Sequence, residues 1–408
     1  MPTPTYDFVF AGGGLSALSL ADRLAAAPAL QDRTLLIVDP DDPTREHRTW
    51  CFWADAPTRY DALAHRRWDR LRVVDARGAR TLNLAPFHYH MIRAADFYAE
   101  VRGRLRARPT VTFQRDRVTR LEDRHDSALA RLAGGGQAAG RWLFDSRFRP
   151  VDARRALEPV RAAQAHTASF LPPLAAAGDG AHYHTLCQHF VGWLVHTERP
   201  AFDPSAATFF DFRTDHQREW RFFYVLPLDV DQALVEYVTL SAADAEQSLA
   251  HYLGRVLNVG PYQVLARERG VNPLTDRPFP RRTGRRTLTL GTAGGRVKPS
   301  SGYAFTRIQR DSDAIARSLA RHGHPFNLPA DPAFYRLCDS LLLDVIQRQG
   351  ELAAPLFTRL FARNPPARVL RFLDERTSPL DNLRLMATLP ADVMLRALGR
   401  LARQALTG

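Results

Sequence analysis

The most constraining feature of this chain lies near its start. Tyr6-Asp-Phe-Val-Phe10 is a short apolar run that leads into Ala11-Gly-Gly-Gly-Leu-Ser-Ala-Leu-Ser-Leu20. The spacing Gly12-x-Gly14-x-x-Ala17 predicts strand, tight turn and helix, the opening of a dinucleotide-binding unit. Gly12 permits the turn. Gly14 lets backbone N–H groups approach a pyrophosphate, and Ala17 is small enough for helix and strand to pack closely. The helix behind points its positive end at the phosphates. The next strand, Thr34 to Val38, ends at Asp39, where a carboxylate can take ribose hydroxyls. The bland reading is a glycine turn in an unrelated α/β protein. Motif and spacing do not separate FAD from NAD, but the N-terminal position and a second glycine loop favour FAD.

That second loop is Leu288-Thr-Leu-Gly-Thr-Ala-Gly-Gly-Arg-Val-Lys298-Pro-Ser-Ser-Gly-Tyr303. An apolar strand opens into Gly291, Gly294 and Gly295, and a helix follows from about Tyr303–Phe305 to Ser318. Backbone donors here can approach phosphate or flavin; a plain strand-to-helix crossover is the alternative. Between the loops, residues 180–275 are strand-rich, with alternating runs at Phe209–Arg213, Arg221–Leu228 and Ala233–Ser241. The tail is helical, with breaks at Pro355, Pro365, Pro366, Pro379 and Pro390. The expected α/β fold is thus a discontinuous cofactor domain (1–64, 90–178 and 276–330), an inserted β-rich substrate domain (65–89 and 179–275) and a helical C-terminal region (331–408).

The 408 residues suit more than one core. No stretch approaches the roughly 18 apolar residues of a membrane span, and Met1–Tyr6 carries no secretory signal. Cys51, Cys187 and Cys338 are too scattered for a disulfide framework, which fits a reducing compartment. The net charge of +13 is spread along the chain and is almost all arginine; Lys298 is the single lysine. It fits an anionic membrane surface or cofactor, whereas no zinc-finger or RNA-binding signature points to nucleic acid. His182, His184, Cys187 and His189 lie close together, and His88 and His90 alternate, but none of these matches a metal-site spacing, and no metal is expected.

The candidate acid is Glu236. In Gln232–Ser241, strand alternation puts Leu234, Glu236 and Val238 on one face. A carboxylate among apolar neighbours stays protonated or finds a partner, and a desolvated, neutral Glu is a general acid in waiting. A solvated edge position is the alternative. Trp220, Phe222, Phe223 and Tyr224 lie on the adjoining strand, where ring faces can stabilise a cation or simply fill a core. Asp211 and Glu219 are the fallback acids.

Together these motifs resemble the bacterial flavin-dependent lycopene β-cyclases. The resemblance spans nearly the whole chain: the Gly12 fingerprint, Arg48-Thr-Trp-Cys-Phe-Trp53, Tyr89-His-Met-Ile-Arg93 with Asp96-Phe97-Tyr98, Phe144-Asp-Ser-Arg147, Gln188-His-Phe-Val-Gly-Trp193, Phe209-Phe-Asp-Phe-Arg213, Phe223-Tyr-Val-Leu-Pro227, Val235-Glu-Tyr237 and the Gly294-to-Tyr303 loop. It implies a Rossmann-like FAD domain of the hydroxybenzoate-hydroxylase type, with Glu236 as catalytic acid. The cofactor contacts it implies are Gly12, Gly14, Ala17, Asp39, Arg93, Gly291, Gly294, Gly295, Lys298 and Gly302. It further implies redox-neutral cyclisation of lycopene and other acyclic carotenes, reduced FAD supplied by NAD(P)H, and peripheral docking on the cytoplasmic face of a membrane. This chain departs from plant relatives at Tyr237 and Val238, where they carry further acids, and from many relatives at Ala17, where they carry Gly. An FAD-dependent monooxygenase on an apolar substrate is the competing enzyme; a basic membrane- or nucleic-acid-binding protein is the competing non-enzyme.

Overall fold

The computed structural model describes residues 3–40, 48–148, 183–214, 219–241 and 244–407. The stretch 149–182, with His182 and much of the second cofactor-domain segment, lies outside them. The fold is mixed α/β. One sheet runs in the order β8 (Val111–Gln114), β2 (Leu35–Val38), β1 (Thr5–Ala11), β11 (Gln137–Asp145), β10 (Ala128–Leu132) and β9 (Val118–Asp123), with β17 (Thr287–Thr289) also on β11. Strands β8, β2, β1, β11 and β17 are parallel. Their residues are accordingly apolar on both faces, as the fully buried Leu35–Val38 shows. Helix α1 (Leu15–Ala26) follows the first glycine turn and is buried from Leu15 through Ala25. It packs against α2 (Ala94–Arg106) and the helix Phe305–His322, to which Arg23 is tied through Asp313 and Gln309.

The second sheet runs β16 (Tyr262–Thr275), β12 (Thr185–Thr197), β15 (Gln232–Thr239), β14 (Phe222–Pro227), β13 (Ala207–Asp211), β5 (Arg70–Asp75) and β6 (Gly78–Asn83), antiparallel except where β13 meets β5. A small third sheet, β3 (Thr49–Ala54), β7 (His88–Arg93) and β4 (Arg66–Trp68), stands beside it. The two faces of the large sheet bury different things. Trp193, Val195, Phe223, Val225, Val235 and Tyr237 pack under the short helix Ala245–His251. Phe210, Phe222, Leu226, Leu234 and Val238 form one core with the third sheet and the tail helices, through Leu343, Phe357, Leu360, Phe361 and Leu370.

The helical tail is therefore a roof on the second sheet. The indole N–H of Trp53 donates to the Leu370 carbonyl at 3.1 Å. Pro355 does not break a helix, as expected above; it sits in the first turn of Ala353–Arg363, where a missing N–H leaves no intrahelical bond unmade. Pro366 and Pro379 likewise open the helices Pro366–Leu373 and Pro379–Met386. The helix after the second glycine loop runs on to His322, not Ser318.

Candidate active site

At the first glycine turn, the three glycines do different jobs. Gly12 has φ +99°, and a Cβ there would meet Ser146 Oγ at 2.6 Å. The Gly13 N–H donates to Asp39, and a Cβ would press on that carboxylate at 3.1 Å. Gly14 heads α1, and a Cβ there would meet nothing within 4 Å. No side chain caps α1 and no acid sits in its first turn. The result is a helix N-terminus with no side-chain cap and, among the described residues, nothing within 4 Å of a Cβ at Gly14, a geometry suited to an anion. Asp39 is placed to hold the glycine turn. Ala17 is fully buried, as close helix–strand packing requires.

The second loop reaches that same helix. Gly291 (φ +57°) approaches Ser16 so closely that a Cβ would lie 2.5 Å from its Oγ. Gly294 packs on the Thr289 carbonyl, Gly295 (φ +70°) on Phe279, and Gly302 (φ +76°) against Gln188 of β12. Lys298 takes a role different from the one expected. Its Nζ lies 2.8 Å from both Asp339 and Glu375, and the residue is 4% exposed. As the chain's one lysine it ties the loop to the tail helices; the carboxylates that surround it use its charge. Arg93, at the start of α2, is bound by Asp96 at 2.6 Å and is largely exposed.

From α1 the loop continues to Tyr303, whose hydroxyl lies 2.8 Å from that of Tyr89 and 3.4 Å from that of Tyr224. Tyr224 lies beside Glu236 in the register of β14 and β15. The row continues across the sheet: Glu236 faces Gly192 of β12, and Gly192 faces Glu268 of β16. A Cβ at position 192 would lie 2.9 Å from the Cγ of each glutamate. Gly192 therefore opens the space through which the two carboxyls meet. Burial, and then the charge of Glu268, push the Glu236 carboxyl well above the usual range. Burial also raises Glu268, but less, because the neighbouring Glu236 carboxyl and the Thr49 hydroxyl favour its charged form; Thr49 Oγ1 donates to its Oε2 at 2.9 Å. Burial holds the nearby Cys51 thiol, Tyr89, Tyr224 and Tyr303 in their neutral forms. Beyond Tyr224 and Tyr303 a narrow cavity is walled by Phe209, Phe210, Trp220, Phe222 and Phe357.

Glu236 is therefore brought together with the aromatic wall and with the second glycine loop. Glu268 was missed in the sequence, where Arg267-Glu-Arg269 reads as a charged strand. Only the alternation Leu265–Arg267–Arg269 against Ala266–Glu268 hinted that it turned inward. The fallback acids are committed elsewhere: Asp211 accepts from Arg213 and from the Tyr252 hydroxyl at 2.7 Å, and Glu219 from Arg221 and Thr239. A wider cleft lies near Asp211, but its Arg72 and Arg213 are matched by Asp203 and Asp211. His184 is held between Asp276 and Asp344. Among the described residues no three His, Cys, Asp or Glu side chains group as metal ligands.

Solved structures share this architecture at low identity. A flavoprotein/dehydrogenase from Cytophaga hutchinsonii is 11% identical with a TM-score of 0.60, over 94% of this chain and 99% of its own. A geranylgeranyl bacteriochlorophyll reductase-like protein from Thermoplasma acidophilum is 11% identical, TM-score 0.56, over 97% and 96%. The p-nitrophenol 4-monooxygenase of Pseudomonas putida is 14% identical, TM-score 0.57, over 99% of both chains. They establish the fold alone. No curated protein sequence matches significantly. Residues 7–399 match the family model described as lycopene cyclase protein, and the chain, over nearly its whole length, belongs to that family.

Proposed function

We propose that the protein closes β-ionone rings at the ends of lycopene, as a redox-neutral lycopene β-cyclase that uses reduced FAD. The observation that carries this reading is the half-buried Glu236, its carboxyl pushed well above the usual range, next to Tyr224 of an aromatic cavity that one glycine loop joins to the α1 N-terminus. Desolvation and the neighbouring Glu268 favour the protonated form of Glu236, which delivers its proton to C2 of the terminal alkene. That leaves a cation at C1; the C5=C6 bond attacks it, the C1–C6 bond forms and the charge moves to C5. Loss of the C6 proton completes the ring, with no net change of atoms. Phe209, Phe222, Tyr224 and Tyr303 offer ring faces to the cation. The tail-helix roof, through Phe357 and Phe361, excludes the water that would trap it.

The α1 N-terminus, the Gly12–Gly14 turn and the Gly291–Gly295 loop fit a dinucleotide, because a Cβ at Gly14 would meet none of the described residues within 4 Å. Bound reduced FAD would supply negative charge near the cation; NAD(P)H is the proposed reductant. Lycopene lives in lipid, and no described helix is long and apolar enough to cross a membrane. We therefore assign the protein a peripheral position on the cytoplasmic face. Leu380, Leu383, Leu395 and Leu398 of the tail are exposed and interleave with Arg384 and Arg396, a composition suited to an anionic lipid surface.

Glu236→Gln tests the acid. Gln keeps the shape but cannot protonate an alkene, and a general acid is worth about 10²–10⁴-fold. Purified variant supplied with chemically reduced FAD should retain flavin and lose cyclisation of lycopene. Near wild-type conversion would remove Glu236 from the mechanism.

A further inference from the structure

We propose that Glu268 is a positioning residue which shares one proton with Glu236 across Gly192, so that the two carboxyls work as a single-proton pair. This rests on the reading of Glu236 as the acid. Three features of the geometry carry it. Glu236, Gly192 and Glu268 occupy one row on adjacent strands. The row is open only because position 192 lacks a Cβ; a methyl there would stand 2.9 Å from both side chains. Glu268 is 7% exposed, and its Oε1 is buried with no hydrogen-bond donor among the described residues, on the side where Gly192 opens toward Glu236. A buried acceptor without a donor is costly, so the arrangement is satisfied when Glu236 is protonated and Glu268 is not. Thr49, donating to the other oxygen of Glu268, and the exposed Arg48 favour that assignment of charge.

The other groups around the pair are Cys51 on β3, Tyr224 on β14 and, through them, Tyr89 and Tyr303. Burial favours the neutral form of each, so among the described residues Glu268 is the charge that bears on Glu236. At rest it keeps Glu236 from ionising. When the proton passes to the alkene, two carboxylates face one cation, and the extra charge stabilises the cation as it forms. The proton released from C6 restores the pair, and the cycle closes without another reactant. Two like groups at this distance titrate as a unit.

The test is an infrared pH titration of the carboxylic-acid carbonyl band, assigned by difference against Glu236→Gln, together with the pH dependence of cyclisation. In the wild type the band should persist above the ordinary carboxylate range. In Glu268→Gln it should titrate at lower pH, and the alkaline limb of the rate profile should move with it. Activity at the optimum should fall by about 10–100-fold, the range typical of partners that orient a functional group. Glu268→Asp, which keeps the charge, should hold the limb above that of Glu268→Gln. A purely structural Glu268 would lower the rate at every pH and leave band and limb in place. That result overturns the proposal, as does a wild-type band lost in the ordinary carboxylate range, which requires no Glu268 variant to fold. A Glu236→Gln enzyme that still cyclises fails the functional reading instead, and its infrared result remains separate.

Discussion

The glycines at 12 and 14 make opposite predictions although they lie two residues apart. At Gly14, φ is −77° and ψ −171°, extended backbone open to any residue. A Cβ there meets nothing within 4 Å. Gly14→Val therefore costs folding only the difference between a good and a poor helix cap, about 1 kcal/mol, and lowers Tm by about 2 °C. Its methyls fill the space over the α1 N-terminus, where a pyrophosphate must approach the backbone. At Gly12, Gly12→Ala must accept φ +99° and a 2.6 Å approach to Ser146 Oγ, while the Gly12 N–H is pinned to the Val38 carbonyl at 2.8 Å. Left-handed strain alone is worth about 1–3 kcal/mol, and the overlap adds to it. The assay is flavin absorbance per mole of purified chain, with far-ultraviolet circular dichroism and a thermal melt. The expected pattern is a folded, flavin-free Gly14→Val and a clearly destabilised Gly12→Ala. A fully loaded Gly14→Val refutes the placement of the cofactor; a Gly14→Val that unfolds refutes the argument from open space.

Lys298→Met should cost about 3–5 kcal/mol in urea melts, because it strands the buried carboxylate of Asp339, while Glu375 keeps Arg307; a loss under 1 kcal/mol (the usual yield of an exposed pair) would contradict it. His184 is buried, which opposes its charge, but Asp276 and Asp344 outweigh burial and raise its pKa above 6.5. Its stabilising contribution is thus complete below the unfolded pKa and lost as pH rises through the higher folded value. The stability gap between wild type and His184→Gln should shrink across that interval, and a gap constant with pH would count against the charged form. Binding to anionic vesicles should exceed binding to neutral ones and weaken with salt, given the +13 balance; equal binding to both would exclude an electrostatic share.

Some of this was legible in the linear chain because the signal is local. Strand, glycine turn and buried helix follow one another within Thr5–Ala26, and each step has its own residue chemistry. Glu236 stood out because its neighbours on either side are apolar. Glu268 did not, because Arg267 and Arg269 flank it and its partner is set by the register of three strands. Lys298 stood among the cofactor contacts that the resemblance implies, because it lies in the second glycine loop. Asp339 and Glu375, which claim it, come from a tail helix and from the turn after Pro366–Leu373, far along the chain. Pro355 was misread because a proline signals a break only in a helix interior, and sequence does not mark where the first turn begins.

The bond from the Trp53 indole to the Leu370 carbonyl joins residues 317 positions apart. It belongs to the same core that holds Phe209, Phe222 and Phe357. During synthesis, the ribosome must release almost the entire chain before that core can close. The N-terminal sheet's own strands, Thr5 through Asp145, are complete much earlier, except for Thr287–Thr289. Until the last helices emerge, the aromatic face of the second sheet stands open to other molecules, and long-range closure of this kind is slow. A stop codon placed before the tail would release no smaller enzyme, only a sheet with its aromatic face in water.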